Sequence, residues 1–269
     1  MSAKDWLRRG HQDAGIERVE AFFQGTAYAP HRHDTYAIGL TMAGVQSFRY
    51  RSSMRHSLSG HALVLHPDEL HDGHAGNGDG FHYRIAYLAP ELLQQVLGGA
   101  PLPFIEGGVS SDPRLTRAAG ALLADFDAPA HSLQQQDALL DIATALQRVG
   151  GQPVPRGGDF RAAFLARAYI HDALHTKLTL DDLAQAAGRD RWSLSRDFRT
   201  FYGTSPHRYV TMRRLALAKT LMLKGHPLAD CAAHAGFADQ SHLTRHFVAA
   251  YGIAPARWLG LHKRSRLPV

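Results

Sequence analysis

The sequence predicts an α+β chain of two domains. The first is an N-terminal antiparallel β-barrel followed by a helical hairpin, and the second is a C-terminal all-helical domain carrying two helix-turn-helix units. Three observations predict it. Short β-branched and aromatic runs fill residues 17–90, apolar residues switch to helical spacing from Asp112-Pro113, and one helix-turn-helix pattern occurs twice after residue 180.

The strand candidates are Glu17–Tyr28, Thr35–Met42, Val45–Arg51, His61–His66 and Phe81–Leu88. Turn signals separate them: Ala29-Pro30, Ala43-Gly44, Ser59-Gly60 and the glycine-containing stretch His71–Gly80, read as a loop. Evenly spaced short strands of this kind suit a small antiparallel barrel or sandwich. Pro113 can open a helix behind an Asp112 cap, and Leu115, Ala118, Ala119, Leu122 and Leu123 then share one helical face. A second helix, Ser132 to Val149, places Leu133, Ala138, Leu139, Ile142, Ala143 and Leu146 at similar spacing. Gly150–Asp159 is rich in Gly and Pro and reads as a linker. The boundaries are therefore residues 1–149, 150–159 and 160–269. In the last segment Phe160–His175 is the first helix, and Ser205–Lys224 is a long one between the repeats.

The first repeat runs Leu180–Gly188, Trp192–Phe198 and Tyr202–Pro206. The second runs Leu228–Gly236, Ser241–Phe247 and Tyr251–Pro255. Each is a short helix with small residues inside, a glycine turn, and a second helix bearing Leu-(Ser/Thr)-Arg-x-Phe that stops at Tyr-Gly. In a helix-turn-helix the second helix enters the major groove of DNA. Donors suited to that groove are Trp192, Ser195 and Arg196 in the first copy, with Arg199 a turn further on. In the second they are Gln240, Ser241, His242 and Arg245. Arg196 and Arg245 match in position and suit guanine, whereas Arg199 and His246 are placed for phosphates. Leu194, Phe198, Leu243 and Phe247 read as core. A rigid helix between the copies predicts two short DNA blocks roughly 10 bp apart, or bent DNA.

Charge agrees with that division. Residues 160–269 hold 17 Lys and Arg against 7 Asp and Glu, a net +10, and the preceding 159 residues net −4. A basic reader of nucleic acid is joined to a part with another task. The single cysteine, Cys231, excludes a disulfide framework, suits the cytoplasm and reads as a small core residue. No signal peptide or membrane-spanning run is expected.

Residues 160–260 resemble the DNA-binding domain of the AraC/XylS family of bacterial transcription regulators. The resemblance rests on Arg213-Arg214-Leu215-x-x-Ala218, on Gly236-Phe237-x-Asp239-Gln240-Ser241-His242-Leu243-x-Arg245-x-Phe247, and on Tyr251-Gly252-x-x-Pro255. It implies a seven-helix domain, double-stranded promoter DNA as partner, and activation by contact with RNA polymerase. His226-Pro227-Leu228 departs from the usual Ser-Ile entry, but Pro can also start a helix.

The N-terminal half resembles the cupin-like effector-binding barrel that accompanies such domains, through His31-Arg-His33, Gly44, Gly60 and Leu65–His71. Cupin enzymes hold a metal with His-x-His, a nearby Glu and a later His. Here His31, His33 and His71 are present, Thr35–Leu40 offers no Glu, and Glu69 is a substitute. Such a set suffices for zinc or iron with an open position. An organic effector in the same barrel is the alternative, with His31, His33, Tyr36, Phe48, Tyr50, His71 and Tyr83 as its walls.

The leading expectation is a ligand-responsive regulator, acting as an activator, with a small-molecule effector in the barrel and a homodimer formed through the hairpin. The hairpin's Leu122, Leu139, Leu140 and Leu146 are more apolar residues than one helix face is expected to bury against a small barrel. A metal-responsive regulator using His31, His33 and His71 is the second reading. A cupin-type metalloenzyme fused to a DNA-binding domain is the third, weakened by the missing Glu.

Overall fold

A computed structural model describes residues 5–13, 15–124, 126–127, 132–150, 157–176 and 178–264. The described residues hold nine strands, all in the N-terminal part: β1 (Trp6–Asp13), β2 (Ile16–Phe23), β3 (Thr26–His31), β4 (Tyr36–Tyr50), β5 (Ser53–Leu58), β6 (Ala62–Leu65), β7 (His71–Ala75), β8 (Phe81–Leu88) and, after the first helix, the short β9 (Val109–Ser110). Helices α1 (Pro90–Leu97), α2 (Pro113–Ala124) and α3 (Ser132–Gly150) complete the N-terminal part. The helices that follow are α4 (Phe160–Asp172), α5 (Leu180–Ala187), α6 (Arg191–Tyr202), α7 (Pro206–Leu223), α8 (Leu228–His234), α9 (Gln240–Tyr251) and α10 (Pro255–Arg264).

All pairings of β1 to β8 are antiparallel, and β4 organises them. Its first half, up to Gly44, pairs with β8 and β6, and its second half, from Val45, pairs with β5 and β7. The sequence suggested two strands broken at Ala43-Gly44. The chain instead continues, with a register shift between Thr41 and Ala43 and a positive φ of 74° at Gly44. A β-carbon at Gly44 would lie 2.0 Å from the Gly80 carbonyl oxygen, so only glycine lets the strand bend from one sheet into the other. The reading of His71–Gly80 as a loop is corrected in the same way: His71–Ala75 is a strand paired with β3 and β4. Its glycines and histidines disguised it, because they carry little β propensity. Strand β1 lies before the first strand candidate and is paired with β2.

The α2–α3 hairpin covers the outer face of the sheet. Leu115, Leu122, Leu139, Ile142 and Leu146 pack on Ile16, Tyr36, Ile38, Val64 and Leu88. Leu122, Leu139 and Leu146 are therefore core side chains, contrary to the expectation that they face a second subunit. Leu133 and Leu140 remain exposed, at 69% and 52%. The centre of the expected linker, residues 151–156, lies outside the described residues.

The helical part joins the barrel through one continuous core. Phe23, Phe48, Phe81 and Tyr83 of the barrel belong to the same apolar cluster as Met212, Leu243, Phe247 and Trp258. A separate cluster, including Ala166, Leu183, Leu194, Phe198 and Tyr209, holds α4 to the first helix-turn-helix unit.

Candidate DNA-reading helices and effector cavity

The two helix-turn-helix units are built alike. Gly188 and Gly236 make the turns in left-handed conformation, with φ of 60° and 76°. Asp190 caps α6 through the amides of Trp192 and Ser193, and Asp239 caps α9 through the amide of His242. Gly203 and Gly252 end the two helices, again left-handed. Leu194, Phe198, Leu243 and Phe247 are fully buried, as the repeat predicted.

What remains outside is the candidate reading face. Trp192, Arg196 and Arg199 are exposed on α6, with Ser195 half-buried. Gln240, Ser241 and Arg245 are exposed on α9. The Arg196 guanidinium donates to Ser193 Oγ at 2.8 Å, which holds it against its own helix. The two histidines of α9 hold each other. His242 and His246 share a ring-nitrogen hydrogen bond of 2.9 Å and both pack on Phe237. His246, expected at a phosphate, is half-buried against His242 and Phe237, and burial beside His242 lowers its pKa. Helix α7, of 18 residues and about 27 Å, separates the two units.

The barrel grips both units. At the first, Glu91 of α1 accepts from Arg167 Nε at 2.8 Å and from the Tyr209 hydroxyl. Gln94 donates to the Phe201 carbonyl at 3.1 Å. At the second, the amides of Ala29 and Arg32 donate to the carbonyls of Gly252 and Ala249 at 3.0 and 3.1 Å. From α7, Arg208 forms an ion pair with Asp68 at 2.7 Å and donates to the Arg32 carbonyl at 2.8 Å. The exit of α9 therefore rests directly on the segment that carries His31 and His33.

A cavity of about 470 Å³ lies at this seam. The barrel contributes Arg9, Glu17, Tyr28, His31, His33 and Tyr87, among others. The helical part contributes Met212, Arg213, Lys219, Tyr251, Ile253 and Trp258. Its size is that of a small-molecule site. Two ion pairs cross it. Lys219 Nζ meets Glu17 Oε2 at 2.7 Å, and Arg213 meets Asp34 at 2.6 Å. Lys219 is 9% exposed and sits over the rings of Tyr251 and Trp258, at 4.7 and 5.4 Å. Burial lowers its pKa, and Glu17 partly offsets this. Burial also opposes the charge on Arg213, but Asp34 holds its pKa above the ordinary value. Burial raises the Asp34 carboxyl despite Arg213.

Of the expected effector residues only His31 and His33 line this cavity. Tyr36 points to the hairpin side and donates to the Pro103 carbonyl at 2.7 Å. Phe48 is core, and Tyr50 is hydrogen-bonded to His66 Nδ1 at 2.6 Å. Tyr83 lies behind the wall, its hydroxyl 2.8 Å from that of Tyr28. Ten of the 24 residues that line the cavity come from the helical part, and no strand pattern in the barrel could have revealed them.

The three histidines do meet. Ring centroids are 4.3 Å apart for His31 and His71, 4.8 Å for His33 and His71, and 6.0 Å for His31 and His33. One ring nitrogen from each lies within 4.8 Å of the others. Burial lowers the pKa of His31 to about 4 and of His33 to about 3, and takes His71 well below its usual value. Glu69 does not join them, which corrects the expectation for that residue. Its carboxylate pairs with Arg51 at 3.1 Å, and only its carbonyl reaches His71.

Comparison with known proteins agrees with this architecture. Residues 13–143 match the family described as AraC-like ligand binding domain, and residues 183–260 match a helix-turn-helix domain family. An uncharacterised HTH-type transcriptional regulator of Bacillus subtilis strain 168, YbfI, is 24% identical over 237 residues, covering 84% of this chain and 86% of that one. The virulence regulon transcriptional activator VirF of Yersinia enterocolitica is 26% identical over 192 residues, 66% of each chain. Among solved structures, unsaturated fatty acid bound ToxT from Vibrio cholerae shares the fold with a TM-score of 0.65, at 11% identity, over 97% of this chain and 95% of that one. The chain belongs to the AraC/XylS family. It is thus a transcription regulator with a ligand-binding part and a helix-turn-helix DNA-binding part, as its N- and C-terminal halves predicted. None of the helices among the described residues is long and apolar enough to cross a membrane.

Proposed function

We propose that the effector of this regulator is a small carboxylate with an apolar body, held in the cavity between barrel and helices. The observation that carries the reading is Lys219, a buried cation on the helix that joins the two DNA-binding units, bonded across the cavity to Glu17 of β2. A ligand carboxylate can replace Glu17 as its partner while Met212, Ile253 and Trp258 cover the apolar body. That exchange removes a strut between β2 and α7. The arrangement of α6 and α9 relative to the barrel then changes with occupancy. The binding of an unsaturated fatty acid by ToxT, which has the same fold, is consistent with this chemistry.

The DNA target is double-stranded promoter DNA. Arg196 and Arg245 read bases in successive major grooves, Trp192, Ser195, Gln240, Ser241 and His242 support them, and Arg199 binds phosphate. The protein acts in the cytoplasm, as an activator that contacts RNA polymerase. Its homodimer contact is the exposed stripe of α3 that includes Leu133 and Leu140, one heptad apart. The test is a thermal-shift series on the full chain with acids, alcohols and amines of matched length. Acids should raise the Tm and the others should not. Equal stabilisation by alcohols or amines would contradict the reading.

A further inference from the structure

We infer that His31, His33 and His71 form a binding site for one divalent transition-metal ion at the seam between barrel and α9. The argument begins with the hydrogen bonds of the rings. Nδ1 of His31 contacts the carbonyl oxygen of Ala29 at 2.8 Å, Nδ1 of His33 that of Thr35 at 2.8 Å, and Nδ1 of His71 that of Glu69 at 2.9 Å. A carbonyl only accepts, so each Nδ1 carries the proton. Each Nε2 is left with its lone pair, the state in which imidazole binds a metal. A backbone carbonyl on the other ring nitrogen is also what fixes the tautomer and orientation of metal-binding histidines.

Those lone pairs need a partner. Nε2 of His33 is buried and has no hydrogen-bond partner among the described residues. With each Nδ1 donating to a carbonyl, all three Nε2 atoms are acceptors, so the three histidines cannot satisfy one another. An unsatisfied buried polar atom is costly, and a cation at the common point removes that cost for His33 Nε2 while taking the lone pairs of the other two rings. Nitrogens on a tetrahedral zinc ion lie roughly 3.4 Å apart. The present 4.8 Å limit closes to that value with shifts of about 1 Å.

The donor set selects the ion. Three neutral imidazoles suit zinc, iron, nickel or copper and do not suit magnesium or calcium, which prefer oxygen. With Glu69 turned to Arg51, the protein supplies three ligands and leaves a position open. His31 and His33 line the effector cavity, so that position belongs to the cavity side. The ion also ties β3 to β7 beneath the exit of α9, where Ala29 bonds Gly252. This inference does not depend on which effector the cavity takes.

The experiment uses the full chain, stripped with a chelator and then titrated with zinc alone and with cobalt alone. One tightly retained equivalent of zinc is expected, with a Tm rise of roughly 5 °C or more at saturating metal. Cobalt should give the visible absorption of a low-coordinate nitrogen site. His33→Gln and His71→Gln should each abolish the retained equivalent and the cobalt spectrum while leaving the weak binding of surface histidines. If either variant fails to fold, the wild-type titration decides alone. A wild-type chain that retains no equivalent and gives no cobalt spectrum would overturn the inference, as would a folded His33→Gln variant that still retains one.

Discussion

Replacing Lys219 by Met isolates the strut between the two halves. The substitution keeps an unbranched stem against Tyr251 and Trp258 but removes the ammonium 2.7 Å from Glu17. Removing one partner of a fully buried pair costs ~3–5 kcal/mol, chiefly because the other charge is stranded. Glu17 is not wholly stranded here. It keeps Arg9 at 3.1 Å, and its side chain is 24% exposed. The cost therefore falls to ~1–2 kcal/mol, or roughly 3–6 °C in Tm for a chain of this length. Adding Glu17→Gln should recover part of the loss, with a coupling energy of about 1–2 kcal/mol in the double-mutant cycle. The same Lys219→Met variant should bind a carboxylate effector ~10–100-fold more weakly, since a charge-assisted hydrogen bond contributes about 1.5–3 kcal/mol. The assays are urea denaturation of the four proteins and calorimetric titration with the best acid from the thermal-shift series. Strict additivity of the two substitutions, or unchanged affinity for the acid, would refute the reasoning.

Arg196→Ala and Arg245→Ala should each weaken specific DNA binding by about 1–3 kcal/mol and relax preference at one position, with Tm unchanged. Selection from a random DNA library reads both, and unaltered preference in either variant would contradict its assignment. Arg199→Ala should weaken all sequences alike and lower the salt slope by about one unit. Leu133→Arg with Leu140→Arg should give a folded monomer by sedimentation, whereas Leu146→Arg should unfold the hairpin, because Leu146 is fully buried. A folded dimer after the paired change would dismiss the α3 contact. His66 accepts from the Ile105 amide at 2.8 Å, and burial lowers its pKa to about 3. Its folded value lies below the unfolded one, so the unfolded state gains a proton as pH falls below about 6.5 and the native state does not until about 3. Stability due to His66 is present above that window and lost on acidification through it. The Tm gap between wild type and His66→Gln should therefore narrow from pH 7 to pH 4.5, and a constant gap would speak against it.

The helical half was legible because its signals are local. The Asp190 and Asp239 caps, the turn glycines and the Leu and Phe core positions each follow from a few neighbouring residues. The histidine triad was also legible, since His31 and His33 are two residues apart and His71 pairs with His31 across β3 and β7. The cavity was not. Its key side chain, Lys219, is some 200 residues from Glu17, and as a lone lysine on a helix it looks like any solvated cation. Tyr36, Phe48, Tyr50 and Tyr83 misled because composition identifies an aromatic residue without saying which face of a strand carries it. A one-residue difference in register separates Tyr36, against the hairpin, from Ala37 in the barrel cluster.

The central claim is that cavity occupancy controls a reader of two successive major grooves. Hydroxyl-radical footprinting on the DNA upstream of the regulator's own gene and its neighbours, with and without the acid that binds best, tests it most directly. The account predicts two short protected blocks about 10 bp apart whose protection changes with the acid in wild type and not in Lys219→Met. A single protected block, or an acid response that Lys219→Met leaves intact, would contradict it.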